Sequence, residues 1–215
     1  MSKAQFANDE YYHIYNRGVD KRKVFLDAKD YERFLLSIKE FNVIEPIGSI
    51  FENSFRKKDR TANALGHSMS KLVEVICYCL NPNHFHFIIK QKSEKGIEKF
   101  MQKLGNGYTK YFNLKYQRNG VLFQGRYKAI HIISNEYLLY LSAYVNRNNF
   151  IHGYSSDGRW PYTSYLDYIN KKNGGLCNKG VILDQFKNTN DYKKFVHANA
   201  VYLKSKKEAD KFLLE

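Results

Sequence analysis

The chain has 215 residues, 43% of them hydrophobic, so it is long enough to bury the core of one domain with a small appendage. Lysine and arginine outnumber aspartate and glutamate by 35 to 21, and a net charge of +14 favours a polyanionic partner such as nucleic acid. No stretch approaches the roughly 20 apolar residues of a membrane span, and no signal peptide is evident, so we expect a cytoplasmic protein without a membrane partner. The three cysteines, an odd number, argue against a disulfide framework.

The first part of the chain predicts a strand, a helix and a hairpin. Residues 11–16 are rich in β-formers, and apolar residues recur at helical spacing over residues 30–41. Residues 46–70 are polar and lack clear periodicity, which predicts a long loop or flap, with a strand pair as the alternative. Residues 72–80 and 84–90 then predict two strands, which a turn at Asn81-Pro82-Asn83 joins into a hairpin.

Two histidines stand two residues apart in the second strand of this hairpin. Side chains at positions i and i+2 of a strand share a face, so His84 and His86 present two imidazoles side by side. Phe85 and Phe87 then pack on the other face. Neutral imidazoles bind divalent metals, yet a His-x-His pair is more often structural, so both interpretations stay open at this point.

Cys77 and Cys79 precede the two histidines and could complete a zinc quartet with them. A three-residue hairpin loop would place Leu80 opposite His84, and both cysteines would then lie on the opposite face with the phenylalanines. This register disfavours a structural zinc site, and a shift of one residue would restore it.

The middle of the chain predicts a nucleic-acid surface. Residues 96–115 form a helical pattern with one apolar stripe, in which Gly105 and Gly107 indicate a kink or a close contact. Between residues 99 and 135 there are seven lysines and arginines and no aspartate or glutamate. Such a stretch repels itself unless phosphates lie along it. The 18 tyrosines and 15 phenylalanines also suit unpaired bases, although most such rings belong to the core.

The last part of the chain predicts a short strand and several helices. A strand at residues 129–133 precedes a helix that Ser134 caps and that runs to about residue 149. Tyr144 and Asn148 share the apolar face of this helix, where a core tyrosine and a C-terminal cap are the default roles. Short helices at residues 181–186 and 191–196 and a helical tail follow. We predict a core over residues 1–150 and a helical appendage over residues 151–215.

Four motifs in this order resemble the single-tyrosine HUH transposases of the insertion-sequence type, and within them the REP-associated tyrosine transposases. The resemblance covers roughly residues 10–196 and rests on Asn83-His84-Phe85-His86, residues 122–128, Tyr144-Val145-Asn146-Arg147-Asn148 and Trp160-Pro161-Tyr162-Thr163-Ser164-Tyr165. It implies an α+β fold in which helices flank an antiparallel sheet, of the ferredoxin-like or RNA-recognition-like kind. One departure is Asn149, where many relatives have proline.

The resemblance also implies a function and its residues. Tyr144 would be the nucleophile, and His84, His86 and Asn148 would bind Mg²⁺ or Mn²⁺. The reaction would cleave and rejoin single-stranded DNA beside a hairpin through a 5′-phosphotyrosine intermediate, and a homodimer is implied. The candidate DNA contacts are Arg17, Lys110, Arg118, Gln124, Arg126, Lys128 and Arg147.

Three alternatives remain at this stage. A non-catalytic regulator could keep the same fold for binding nucleic acid. A replication-initiating or conjugative HUH nuclease would use the same chemistry but usually carries further domains. A two-histidine phosphoesterase needs a second histidine motif with Thr or Ser two residues later, and none of the other histidines has one.

Overall fold

The computed structural model describes residues 5–45, 47–48, 50, 70–155, 159–170 and 174–212. The predicted loop at residues 46–70 therefore lies almost entirely outside the described residues. The elements in chain order are β1 (Tyr11–Arg17), a 3-10 turn (Val19–Lys21), α1 (Ala28–Glu40), β2 (Val73–Asn81), β3 (His84–Gln91), α2 (Gly96–Lys115), β4 (Lys128–His131), α3 (Asn135–Asn146), α4 (Asn148–Ile151), α5 (Tyr165–Tyr168), α6 (Gly180–Leu183) and α7 (Thr189–Phe212). Within this part of the chain, no helix is both long and apolar enough to cross a membrane.

The four strands form one antiparallel sheet in the order β2-β3-β1-β4. With α1 after β1 and α2 after β3, the chain follows the β-α-β-β-α-β succession of ferredoxin-like folds. This confirms the predicted α+β class and the antiparallel sheet flanked by helices. The strand that carries both histidines, β3, is a central strand and has a neighbour on each side.

Apolar side chains alternate along the strands and give the sheet two covered faces. On one face, Phe85 and Phe87 pack with α1 and α2 in the larger core. On the other face, which we call the histidine face, Cys77 and Ile88 pack with α3 and with α5–α7. The molecule thus has three layers, and the histidine face is covered largely by residues from the second half of the chain.

The register of the β2–β3 hairpin differs from the predicted one by one residue. The loop has two residues, Pro82 and Asn83, and the pairs are Asn81 with His84 and Cys79 with His86. A β-bulge between Val75 and Cys77 keeps the apolar residues further along β2 on their proper faces. The predicted pairing of Leu80 with His84 is therefore wrong, and both cysteines lie on the histidine face.

The helix that was predicted to run to about residue 149 ends earlier. Ser134 caps α3 by accepting a hydrogen bond from the Tyr137 backbone N–H, as predicted. Arg147 then leaves the helical conformation, with φ −116° and ψ 18°, and α4 begins at Asn148. Tyr144 and Asn148 are consequently held by two successive helices rather than by one face of a single helix.

Residues 159–170 and 174–196 complete the histidine face and cover an edge of the sheet. β2 is an edge strand, and its backbone exchanges hydrogen bonds with this segment through Leu80 with Tyr162 and Tyr78 with Ser164. The side chain of Trp160 also donates to the Leu80 carbonyl, at 2.9 Å. A covered edge cannot pair with another chain. The division of the chain at residue 150 stays a prediction, and the second predicted short helix is the start of the long helix α7.

Candidate active site and nucleic-acid interface

A cavity of about 400 Å³ opens on the histidine face near the end of β1, and we call it the catalytic pocket. The strands β1 and β3 form its floor, and α3 and the loop before β4 form its walls. The residues that line it are Tyr15, Asn16, Arg17, His84, His86, Gln124, Lys128, Tyr144 and His152. Five of them, Arg17, His84, His86, Gln124 and Lys128, are predicted DNA contacts or metal ligands, and the fold brings them together from separate parts of the chain.

Hydrogen bonds fix the orientation of the His84 ring. Its Nδ1 lies 2.6 Å from Oδ1 of Asn83, an oxygen that can only accept, so Nδ1 carries the hydrogen and donates it. Nε2 of this neutral ring therefore has a lone pair. The buried Asn81 amide donates to that lone pair at 2.8 Å. The sequence places Asn81 and Asn83 beside the histidine, because β2 ends on Asn81 and the two-residue turn ends on Asn83.

The side-chain oxygen of Asn148 directs a second lone pair toward the Asn81 amide, as His84 Nε2 does. Its Oδ1 lies 3.1 Å from His84 Nε2, and the Asn81 amide donates to it at 2.6 Å. Two acceptors at this distance repel each other unless a positive group lies between them, and the Asn81 amide hydrogens now fill that role. Two ligands at right angles around a cation at about 2.1 Å lie about 3.0 Å apart. These donors therefore fit a divalent cation.

His86 stands beside His84 with its ring perpendicular to it, at 5.2 Å between ring centroids. Its Nδ1 lies 2.9 Å from Nε2 of His13 on the neighbouring strand β1. The two rings are within 18° of coplanar, which is the geometry of an in-plane hydrogen bond between imidazoles. His86 therefore has its other nitrogen, Nε2, available as a ligand.

Burial keeps these histidines uncharged. Loss of solvation lowers the pKa of His13 and of His84 to about 4 in each case, and it lowers the pKa of His86 well below 6.5. A metal ligand must be a neutral imidazole, so protons do not compete for this site at neutral pH. The donor set of two imidazole nitrogens and an amide oxygen suits Mn²⁺ or Mg²⁺ with open positions for phosphate oxygens.

Tyr144 lies over the histidines of its own chain. Its ring meets His86 edge to face at 5.5 Å between centroids, and it meets His13 in the same way at 6.1 Å. Burial raises the pKa of the Tyr144 hydroxyl, and the Asn148 side chain partly opposes that shift. The hydroxyl is therefore protonated at neutral pH and lies next to the Asn148 side chain.

The structure separates the predicted DNA contacts into three groups. Arg17, Gln124 and Lys128 line the catalytic pocket. Lys110 and Arg126 line a second cavity on the other face of the sheet. Arg118 and Arg147 line neither cavity. Arg118 donates a hydrogen bond to Asn113 and stacks on Phe112. Arg147 is only 7% exposed and lies over the rings of Phe150 and Tyr165.

The structure also bears on the alternative of a structural zinc site formed by Cys77, Cys79, His84 and His86. Although the true register puts Cys79 on the histidine face, its thiol bonds Oδ1 of Asn81 at 3.6 Å, and burial raises the pKa of this thiol to about 12. Among the described residues, no group of three or more His, Cys, Asp or Glu side chains could hold a metal. The candidate site uses two histidines and an amide, so it is a different kind of site from a zinc quartet.

Several site residues were missed from the sequence. Asn81 was assigned only to a turn, and His13 was not among the predicted site residues. His152 lies at 5.0 Å from His84 between ring centroids, and Lys207 of α7 donates to its Nδ1 at 2.6 Å. Spacing gives no signal for His13, His152 and Lys207, because β1, the residues after α4 and α7 reach the pocket only through the folded topology.

The comparisons with known proteins agree with this geometry. The family model described as "Transposase IS200 like" matches residues 49–148, the stretch that holds His84, His86, Tyr144 and Asn148. This stretch of the chain therefore matches the IS200-like transposase family, which the sequence motifs predicted. No curated protein matches the sequence.

A solved structure described as a REP-associated tyrosine transposase bound to a REP hairpin has a similar fold. The TM-score is 0.54 at 14% sequence identity, over 83% of this chain and 89% of that chain. Similarity at this level of identity concerns the fold alone, and this chain therefore has a fold similar to that of the solved structure.

Proposed function

We propose that this transposase is a metal-dependent nuclease that cleaves and rejoins single-stranded DNA beside a hairpin, with Tyr144 as its nucleophile. The observation that carries the proposal is the convergence of His84 Nε2 and Asn148 Oδ1 at 3.1 Å, next to the Tyr144 hydroxyl. Two buried acceptors held together in this way are the expected arrangement of metal ligands. The similar solved structure is bound to a REP hairpin, which supports hairpin DNA as the substrate here.

A bound Mg²⁺ or Mn²⁺ on His84, His86 and Asn148 would neutralise charge on the scissile phosphate. Tyr144 Oη forms a bond to phosphorus while the bond from phosphorus to the 3′-oxygen breaks. The hydroxyl proton is lost as this attack proceeds, and the departing 3′-oxygen takes up a proton and becomes a 3′-OH. The phosphotyrosine link conserves the phosphodiester bond energy, so the reverse step rejoins strands without ATP.

The remaining pocket residues hold the strand in place. Arg17 and Lys128 carry the positive charge of the pocket, and phosphate contacts of this kind position DNA without reading its sequence. Gln124, on the same wall, has an amide that can bond a phosphate or a base edge. A homodimer and a cytoplasmic location remain predictions.

The test is a denaturing gel of end-labelled single-stranded hairpin DNA, incubated with the full chain and Mn²⁺ or Mg²⁺. We expect a protein–DNA adduct that withstands denaturant, requires the metal and is absent in Tyr144→Phe. Tyr140→Phe is the matched control, because Tyr140 lies one turn earlier on α3 and outside the catalytic pocket. Tight DNA binding without any adduct in the unmodified protein would favour the non-catalytic regulator instead.

A further inference from the structure

The second cavity, of about 730 Å³, lies on the face of the sheet opposite the histidines. We call it the helix groove, because one row of α2 residues forms a wall: Glu98, Gln102, Gly105, Thr109 and Asn113. Residues 121–123 and 125–127 form the other wall, and Phe85 and Phe123 lie at its apolar floor. A cavity of this size is within the range that holds ligands of nucleotide dimensions.

Gly105 stands in the middle of that wall without a structural reason to be glycine. It has helical backbone geometry within α2, and a Cβ added to it would meet nothing within 4 Å. Its neighbour Gly107 differs, because a Cβ there would come within 2.6 Å of the Phe41 ring. Glycine weakens a helix relative to alanine, so a glycine that packs against nothing indicates space kept for a ligand.

The chemistry of the groove matches an unpaired nucleotide. Its apolar floor suits a base, and the side chains of Gln102, Asn106 and Thr109 form no hydrogen bond with the described residues, which leaves them available to base edges. Lys110 and Arg126 supply positive charge for phosphates. Glu98 is the one acidic residue in the wall, and it pairs with Arg126 at 3.4 Å.

The groove is continuous with the catalytic pocket around the end of β1. Asn16 lines both cavities, and its side chain bonds the Gly125 carbonyl at 3.2 Å. In the loop before β4, Gln124 lines the catalytic pocket while Gly125 and Arg126 line the groove. A strand bound at the histidines can therefore continue past this loop to the other face of the sheet.

We propose that the helix groove binds unpaired nucleotides of the same DNA strand that the catalytic pocket cleaves. This inference rests on the proposed function and adds to it the place where the single-stranded flank is held. Selection of flanking nucleotides would then depend on the row of α2 residues around Gly105, whereas cleavage depends on Tyr144.

The test compares two labelled DNA probes by fluorescence anisotropy with the full chain. One probe is a blunt hairpin, and the other is the same hairpin with a randomised single-stranded extension on each side. We expect the extension to strengthen binding roughly 5- to 100-fold, as one stacked base does in single-strand binding proteins. Gly105→Leu, which fills the groove, should abolish that gain, and Gly105→Ala is the matched control that should retain it.

Lys110→Ala is a second test variant, and alanine at this position does not disturb the helix. We expect it to reduce the increase in affinity that the extension gives. Thermal unfolding checks that each variant is folded. Equal affinities of Gly105→Leu and Gly105→Ala for the extended hairpin would overturn the inference. It would also be overturned if neither Gly105→Leu nor Lys110→Ala reduced the increase in affinity that the extension gives. The adduct gel on the same DNA separates the two proposals, since loss of the Tyr144 adduct alone contradicts only the proposed function.

Discussion

His13 and His86 share one hydrogen across a 2.9 Å contact between two neutral rings. Only one of the two facing nitrogens can carry that hydrogen. If His86 Nδ1 donates, its Nε2 keeps the lone pair that a metal needs, and His13 is the acceptor that fixes this tautomer. Outer partners of this kind orient metal-binding histidines in many proteins.

His13→Phe should therefore weaken Mn²⁺ binding by roughly 10- to 100-fold, since phenylalanine keeps the ring shape and lacks the acceptor. His13→Gln retains an acceptor oxygen near the position of Nε2 and should bind Mn²⁺ within a few-fold of the unmodified protein. Calorimetry without DNA measures the affinity. Nitrogen NMR of the His86 ring should show a hydrogen on Nδ1 in the glutamine variant and a mixture in the phenylalanine variant. Equal affinities for the two variants would contradict this role.

Helix α2 contains two glycines, Gly105 and Gly107, whose surroundings differ. A Cβ at Gly107 meets the Phe41 ring at 2.6 Å, and this ring is 7% exposed and packs with Ile47 and Ile50. A Cβ at Gly105 meets nothing. The sequence alone indicated a kink or a close contact for both, and only the folded structure separates them.

Gly105→Ala should raise the free energy of unfolding by about 1 kcal/mol, the difference in helix propensity between the two residues. Gly107→Ala gains the same propensity but crowds a buried ring, which costs about 1–3 kcal/mol. We therefore expect Gly107→Ala to be less stable than Gly105→Ala by at least about 1 kcal/mol in urea unfolding. If the two variants unfold at the same urea concentration, the Phe41 contact does not constrain this position.

The elements that the sequence predicted well are those with strong periodicity. The strand that holds the histidines and the helix α2 have nearly the predicted bounds, because side-chain alternation and helical spacing are local signals. The register of the β2–β3 hairpin was wrong by one residue, since it depends on the two-residue turn and the bulge after Val75. The break at Arg147 was missed because the apolar stripe continues through it.

The residues of the candidate site were likewise predicted only where a sequence motif identifies them. His84, His86, Tyr144 and Asn148 were predicted because the family motifs place them, and the fold brings them together. Asn81, His13 and His152 join them through pairing between strands and packing of the second half of the chain. His13 and His152 are far from the motif residues in sequence and leave no local pattern, whereas Asn81 lies three residues before His84 and was assigned only to the turn.

The whole molecule combines three layers with two cavities that meet at one end of β1. The catalytic pocket lies on the histidine face, where α3 and α7 pack, and the helix groove lies under α2 on the other face. Most of the second half of the chain thus stabilises the layer over the histidines. This arrangement buries His84, His86 and Asn148 and leaves both cavities open at the surface.

Burial of the histidines makes the stability of the whole fold depend on pH. An unfolded histidine titrates near pH 6.5. Folding lowers the pKa of His13 and His84 to about 4 and that of His86 further below 6.5. Between pH 6.5 and 4 the unfolded chain therefore binds protons that the folded chain does not. The free energy of unfolding falls as the pH falls through this window.

Each buried histidine should contribute up to about 1.4 kcal/mol per pH unit to that loss. Urea unfolding of the metal-free protein at pH 7 and at pH 5 measures it, and His13→Gln should remove roughly one third of the histidine contribution. His197→Gln, on the exposed surface of α7, is the comparison for losing a histidine that is not buried. A pH dependence that His13→Gln leaves unchanged would mean that His13 already carries its proton in the folded state. That outcome would also contradict its assignment as the acceptor for His86, because a doubly protonated ring has no lone pair to offer.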